Sequence, residues 1–266
     1  MFEILSYEFF QKALIAGIIV SLIAGTLWSL VVLRREPNIT HSIANILFLW
    51  IVVSFFFHGN YYVFGSIFAI LWVILIISIE KFSLTSRESS KEIISQIGLA
   101  GGIFWVGLLG NMQLDIFNFL FGNILFIEYS DIILLGGMLC IGIVLWILFG
   151  KKLLRVILSP EIAKSQAIST HIFEIGYMLY LALFIAVSIK MFWALLLWAF
   201  LVLPGNIAKT FSKSFTGVFI TATVISTLAV CIWLFASYHF DTSAGATIVL
   251  LLWISFLARI IFSKMN

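Results

Sequence analysis

Long apolar runs, separated by short polar connections, follow one another along almost the whole chain. A helix that crosses the hydrocarbon core of a bilayer needs about 20 mostly apolar residues. Runs close to that length cover residues 12–33, 40–57, 61–79, 94–112, 132–149, 171–189, 191–207, 214–237 and 245–262. Backbone groups in lipid must be satisfied within their own segment, so these runs predict helices. Because Lys190 alone separates two of the runs, we expect eight or nine spans.

The composition agrees with a chain that belongs in lipid. Apolar residues make up 63% of the 266 residues and charged residues 10%, whereas a soluble domain carries about 25% charge. In water such a chain would expose a large apolar surface, which soluble monomers avoid. We therefore predict an all-α, polytopic membrane helix bundle that forms one transmembrane domain over residues 1–266. The chain has no basic tract of the kind that binds nucleic acid.

The few charged residues predict the orientation of the bundle. Alternate connections hold nearly all the lysines and arginines, in the groups Arg34 and Arg35; Lys81, Arg87 and Lys91; Lys151, Lys152, Arg155 and Lys164; Lys209 and Lys213; Arg259 and Lys264. The intervening connections hold histidines and acids, with Lys190 as the exception. Since cytoplasmic loops carry the excess of Lys and Arg, we expect residues 80–92 and 150–170 in the cytoplasm, the N-terminus outside and the C-terminus inside.

Sequence motifs of soluble catalysis and of ATP binding are absent. Gly150-Lys151-Lys152 lacks the upstream glycine and the Ser or Thr of a phosphate-binding loop. There is no GxSxG, no HExxH and no paired-cysteine signature, because Cys140 and Cys231 lie singly inside apolar runs. The sequence therefore predicts neither an ATPase nor an enzyme.

The cytoplasmic connection at residues 153–168 has the pattern of a short helix. Ser159 can cap a helix whose first position is Pro160, and Glu161 is favourable at the positive end of the helix dipole. The pattern predicts a short helix on the cytoplasmic face between two spans. An ordinary capped loop helix would carry the same signals.

Ser159-Pro160-Glu161-Ile162-Ala163, after a basic amphipathic lead, resembles the coupling segment of the metal-uptake ABC permeases, the zinc, manganese and iron group with its ZnuB-like membrane subunits. Four further stretches resemble this family in the order expected. They are Arg34-Arg35, FLFGNIL at 119–125 (family LFGD), WALL at 193–196 through LPGNIA at 203–208 (family GALL and PAATA), and YHFDTSAG at 238–245 (family YDTPAG). The resemblance runs over residues 12–262.

The resemblance implies the membrane subunit of an ABC importer in a bacterial cytoplasmic membrane. Its cargo would be a divalent metal, zinc first among the candidates, and no cofactor would be bound permanently. The family implies a homodimer with the path at its interface, two separate ATPase subunits and an extracytoplasmic metal-binding protein. The residues that the resemblance assigns to ATPase coupling are Arg155, Ser159, Pro160, Glu161 and Ala163.

A pair of residues in the second run is the candidate metal contact. The family carries an Asp and a His four residues apart there, and an ungapped count from the arginine pair places His41 and Asn45 at those positions. A spacing of four puts both on one helix face. In a shifted register His41 takes the place of the family His, with Pro37 at the acid position and Glu36 beside it. Alternatively, His41 and Asn45 are polar residues that only hydrogen-bond to neighbouring helices.

Two further positions have both a family role and a plain structural one. Asp241 precedes the last run, where it could cap a helix or gather cations at the outer face. Pro204 and Gly205 are expected to break the helix that borders the translocation path in the family, or simply to end it.

Two other functional classes compete with the importer. A secondary transporter or channel for a cation, without an ATPase partner, would need ionisable residues inside its spans, and the acids here cluster in the connections. An intramembrane enzyme or a structural assembly factor would need a catalytic constellation or a specific binding feature, and neither is present.

Overall fold

The computed structural model describes residues 7–34, 38–57, 59–82, 87–108, 127–166, 168–188, 194–212, 214–240 and 252–254. Within these ranges the regular structure is helical and no strand occurs, which confirms the all-α class for the described residues. Two of the stretches that carry the family resemblance, residues 119–125 and most of 238–245, lie outside them.

The described residues form nine helices of six or more residues, besides a helical stretch at 252–254. They are α1 (Glu8–Leu33), α2 (Ile39–Phe56), α3 (Tyr61–Phe82), α4 (Arg87–Leu108), α5 (Tyr129–Leu158), α6 (Pro160–Ser165), α7 (Thr170–Ser188), α8 (Ala194–Phe211) and α9 (Phe215–Phe240). By length and composition, six of them can cross a membrane: α1, α2, α3, α5, α7 and α9. The expected eight or nine spans therefore stay a prediction, and most of the last predicted run, 245–262, is outside the described residues.

Short polar side chains satisfy the unpaired backbone N–H groups at the starts of three helices. The Tyr62 N–H at the start of α3 donates to Asn60 Oδ1 over 3.0 Å. The Gly217 N–H in the first turn of α9 donates to Ser214 Oγ over 3.1 Å. At the start of α5, Asp131 Oδ2 accepts from the backbone N–H just before the helix, over 3.0 Å. These helices thus begin where a local side chain replaces the missing helical partner.

Helix α5 is longer than the apolar pattern predicts. The run ends near residue 149, but the 30-residue helix continues through Lys151, Lys152 and Arg155 to Leu158. At 1.5 Å per residue it is about 45 Å long, which exceeds the about 30 Å hydrocarbon core of a bilayer. The basic end of α5 therefore reaches beyond the core, and α6 follows it after Ser159.

The chain divides into two compact units. The first comprises Met1–Val32, Gly122–Ile143 and Lys190–Asn266, and the second comprises Leu33–Phe121 and Val144–Ile189, so the division falls within α5. In the first unit, α1 packs on α8 and α9 around a buried cluster that contains Trp28, Ala208 and Ala222. In the second unit, α2 packs most extensively on α4 and also on α3 and α7. A single transmembrane domain stays a prediction.

Candidate functional site

Helices α2 and α4 run parallel and approach unusually closely at the glycines of α4. A Cβ on Gly98 would lie 2.7 Å from Ile46 Cγ1 and 2.8 Å from Ile46 Cα. One turn further, a Cβ on Gly102 would lie 2.5 Å from two atoms of the Phe48 ring. Small residues let the backbones of membrane helices approach in this way. The approach brings the polar residues of the two helices into direct contact.

Five residues on the facing sides of α2 and α4, here named the polar seam, are His41, Ser42, Asn45, Lys91 and Ser95. Ser42 Oγ donates to the Lys91 carbonyl oxygen over 2.8 Å. Asn45 Nδ2 donates to Ser95 Oγ over 2.9 Å and lies 3.3 Å from His41 Nε2. Ser95 is 0% exposed, Lys91 5% and Asn45 7%, and His41 is half-buried. The seam is therefore a hydrogen-bonded polar strip inside the second unit.

The structure brings His41 and Asn45 together as their spacing of four predicts. Asn45 directs its Nδ2 group at both Ser95 Oγ and His41 Nε2. In this orientation Asn45 Oδ1 accepts no hydrogen bond from the described part of the chain. An imidazole nitrogen and an amide oxygen can both bind a divalent metal. The shifted register cannot be compared, because Glu36 and Pro37 lie outside the described residues.

The seam contains no carboxylate, and the described ranges hold no group of three or more His, Cys, Asp or Glu residues that could hold a metal ion. A closed structural metal site needs about four protein ligands. The described residues of the seam therefore lack the ligands of a closed metal site.

The α4 side of the seam was not predicted from the sequence. Lys91 was counted among the charges of a cytoplasmic connection, whereas it lies in the second turn of α4 with its side chain buried. Lys91, Ser95, Gly98 and Gly102 are spaced by four, three and four residues, which is the pattern of one helix face. That spacing was the available signal for a close polar and small-residue contact.

The residues that the sequence predicts for ATPase coupling lie at the junction of α5 and α6. Helix α6 begins at Pro160 as predicted, and Ser159 bridges the two helices: its N–H donates to the Arg155 carbonyl over 2.9 Å, and its own carbonyl accepts from the Ala163 N–H over 3.0 Å. Arg155 and Glu161 are exposed, whereas Ala163 is fully buried. The junction thus presents exposed charges on a segment anchored by one small buried side chain.

A buried ion pair fixes α7, the helix that follows α6. Arg34 Nη2 lies 3.2 Å from Glu174 Oε1, and the two side chains are 8% and 21% exposed. The same guanidinium lies 5.6 Å from the centre of the Tyr177 ring. The residue that follows α1 is therefore tied to the first half of α7 by charge and by ring contact.

Helix α8 continues through Pro204 and Gly205 to Phe211, so it neither ends nor breaks at this pair as the sequence led us to expect. The indole of Trp28 occupies the space beside Gly205, where any Cβ would overlap the ring. Trp28 Nε1 donates to the Val202 carbonyl over 3.0 Å. The pair therefore marks where α1 packs on α8 in the first unit. Asp241 lies outside the described residues.

Six helices of spanning length, a buried polar seam and a short helix between two long ones fit a multi-pass membrane protein. The model of the ABC 3 transport family matches residues 6–263 of the chain. The chain belongs to this family. Its members are the permease subunits of ABC transporters, which is the predicted family, and ATP hydrolysis belongs to a separate partner chain.

Similar proteins carry names of the same kind. The chain is 30% identical to the high-affinity zinc uptake system membrane protein ZnuB of Haemophilus influenzae, over 92% of the chain and 94% of that protein. It is 25% identical to the manganese import system permease protein ScaB of Streptococcus gordonii, over 92% and 87%. The solved structure of PsaBC from Streptococcus pneumoniae in complex with Fab is similar with a TM-score of 0.85 and 25% identity, over 96% of this chain and 92% of that one.

Proposed function

We propose that this chain is the permease subunit of an ATP-driven importer of a divalent metal ion, with zinc as the preferred cargo. The observation that carries the proposal is the contact between His41 and Asn45 inside the polar seam. Imidazole suits zinc, whereas manganese prefers carboxylate, carbonyl and water ligands. The seam offers an imidazole and no carboxylate. Relatives named for zinc and for manganese import support the metal class.

The distance between the two side chains fits a shared ion. Rotation of the Asn45 amide by half a turn places Oδ1 where Nδ2 lies, 3.3 Å from His41 Nε2. Two ligand atoms, each about 2.1 Å from a tetrahedral zinc ion, lie about 3.4 Å apart. His41 Nε2 and Asn45 Oδ1 can therefore hold one ion between them without movement of the α2 backbone. Water would complete the coordination.

The junction of α5 and α6 is proposed as the ATPase docking segment, through Arg155, Ser159, Pro160, Glu161 and Ala163. Two ATPase subunits would contact its exposed charges from the cytoplasm. Closure of the ATPases on ATP would displace α6, and α7 would follow because only a short connection joins the two helices.

The complete importer would be a homodimer of this chain with an extracytoplasmic metal-binding protein, in a bacterial cytoplasmic membrane. We propose eight or nine spans per chain in one transmembrane domain, with the N-terminus outside and residues 150–170 inside. Pro204 and Gly205 would border the path on α8. Asp241 would cap the last helix or gather cations at the outer face.

The test is reconstitution of the chain in proteoliposomes with its ATPase and binding protein, followed by zinc uptake and ATP hydrolysis. Zinc is expected to stimulate ATP hydrolysis, and His41→Ala is expected to raise the KM for zinc about tenfold, the equivalent of about 1.4 kcal/mol. Uptake that does not need ATP would identify a channel or secondary transporter and refute the proposal. An unchanged KM in His41→Ala would refute the metal contact alone.

The coupling segment is tested by ATPase association. The variant Arg155→Ala with Glu161→Ala is expected to co-purify with less ATPase than the parent chain. A matched control removes one acid and one base elsewhere, Glu8→Ala with Lys12→Ala, which form an ion pair at the start of α1 with an N–O distance of 2.8 Å. Equal ATPase recovery from both double variants would contradict the assignment.

A further inference from the structure

Ser95 is the residue of α4 whose side chain contacts Asn45 in the polar seam. Its side chain is fully buried, and its Oγ lies 2.9 Å from Nδ2 of Asn45, a residue 50 positions earlier on another helix. The close backbone approach at Gly98, less than one turn further along α4, fixes the distance between the two helices at this level. The backbone of Ser95 therefore cannot move away from Asn45 without moving α4.

We propose that Ser95 is a positioning residue that holds the Asn45 amide beside His41 in either orientation, and thereby raises the affinity for the transported metal. This role rests on the proposed function. A hydroxyl can donate or accept a hydrogen bond. Ser95 accepts from Nδ2 in the orientation seen here, and it can donate to Oδ1 after the amide has rotated. Its hydrogen bond to Asn45 is therefore kept in both orientations.

The two orientations correspond to two states of the path. With Nδ2 toward His41, the amide N–H occupies the lone pair of His41 Nε2, and the imidazole cannot bind a metal through that atom. With Oδ1 toward His41, both side chains offer lone pairs to one ion, and the Ser95 O–H holds the amide in that orientation. Metal binding thus replaces the hydrogen bond between Asn45 and His41 with one coordinate bond from each side chain.

Ser95→Ala would leave the Asn45 amide without a hydrogen-bond partner on α4 in either orientation. Because this hydrogen bond is present with and without the metal, its loss acts by loosening the Asn45 side chain, which the metal must then immobilise; the KM for zinc is expected to rise about twofold to tenfold. The turnover of ATP at saturating zinc should stay unchanged, because Ser95 touches neither the coupling segment nor the ATPase. A threonine or cysteine at position 95 retains a side chain that can hydrogen-bond, so both variants should lie between alanine and the parent.

The experiment uses the full transporter in proteoliposomes, with zinc chloride as the probe, and combines Ser95→Ala with Asn45→Ala. If Ser95 acts through Asn45, Ser95→Ala raises the KM in the parent chain and has no further effect in the Asn45→Ala chain. The control is Ser54→Ala, which removes a buried serine whose hydroxyl donates to the Ile51 carbonyl of its own helix over 2.7 Å. This control should leave the KM unchanged.

Three results would overturn the role of Ser95. They are an unchanged KM in Ser95→Ala, an equal rise in the KM when Asn45 is already alanine, and a rise in Ser54→Ala as large as in Ser95→Ala. Melting temperatures of the purified variants, together with Ser95→Cys, separate a change of affinity from a loss of folding. If the parent transporter shows no zinc-dependent uptake, the proposed function itself fails, whereas a working parent with an unaffected Ser95→Ala refutes the positioning role alone.

Discussion

Gly98 is the point where a single methyl group should separate α2 from α4. Alanine at this position would place its Cβ 2.7 Å from Ile46 Cγ1, 2.8 Å from Ile46 Cα and 3.0 Å from the Asn45 carbonyl oxygen. Two of these three atoms belong to the backbone, so a change of rotamer cannot relieve the overlap. The helices themselves must move apart.

The size of the effect follows from the contact distances. Carbon atoms make their best contact at about 3.5–4.0 Å, so α4 must withdraw from α2 by about 1 Å. The Asn45–Ser95 hydrogen bond, 2.9 Å long in the parent, would then reach about 3.9 Å and be lost. Overpacking costs about 1–3 kcal/mol, and an interhelical hydrogen bond in a membrane is worth about 0.6 kcal/mol. Alanine favours the helix over glycine by about 0.5–1 kcal/mol, so we expect Gly98→Ala to lower the free energy of unfolding by about 1–3 kcal/mol.

The assay is reversible unfolding in mixed detergent micelles, with zinc uptake measured on the same preparation. Gly107→Ala is the matched control, because it lies on the same helix and its Cβ would meet nothing within 4 Å. Replacing a helical glycine by alanine there should be neutral or stabilising by about 0.5–1 kcal/mol. Equal stability of Gly98→Ala and Gly107→Ala would refute the close approach of α2 and α4.

Other sites lead to three further expectations. Gly205→Ala should lower the melting temperature in detergent, since its methyl group overlaps the Trp28 ring. Adding Trp28→Leu to the same chain should restore part of the loss. A double variant that melts below Gly205→Ala alone would contradict this. Glu174→Gln should lower the free energy of unfolding by about 1–2 kcal/mol, because it removes the carboxylate from the buried Arg34 guanidinium. The double variant Arg34→Met with Glu174→Leu should be more stable than Glu174→Gln alone. Asn45→Asp should lower the KM for manganese more than the KM for zinc, because a carboxylate suits manganese, and an unchanged ratio of the two KM values would argue against a ligand at this position.

Helix positions were largely predictable, because the apolar period and the length of each run are local properties of the chain. The ends of the helices were less predictable. Helix α5 continues to Leu158, past the end of its uninterrupted apolar run near residue 149, since lysine and arginine are good helix formers. Pro204 lies inside α8 rather than at its end. The packing of Trp28 beside it, a residue far earlier in the chain, could not be inferred from the proline alone.

The sequence by itself determined the membrane class, the helical content, the start of α6 at Pro160 and the pairing of His41 with Asn45, because each depends on residues within one or two helical turns. Only the tertiary structure decided that Ser95 completes this pair and that Lys91 is buried in α4 rather than solvated. Both facts depend on how closely α2 and α4 pack and on which face each helix turns toward the other. Gly98 permits that approach, but the partner it approaches lies on another helix, about 50 residues away.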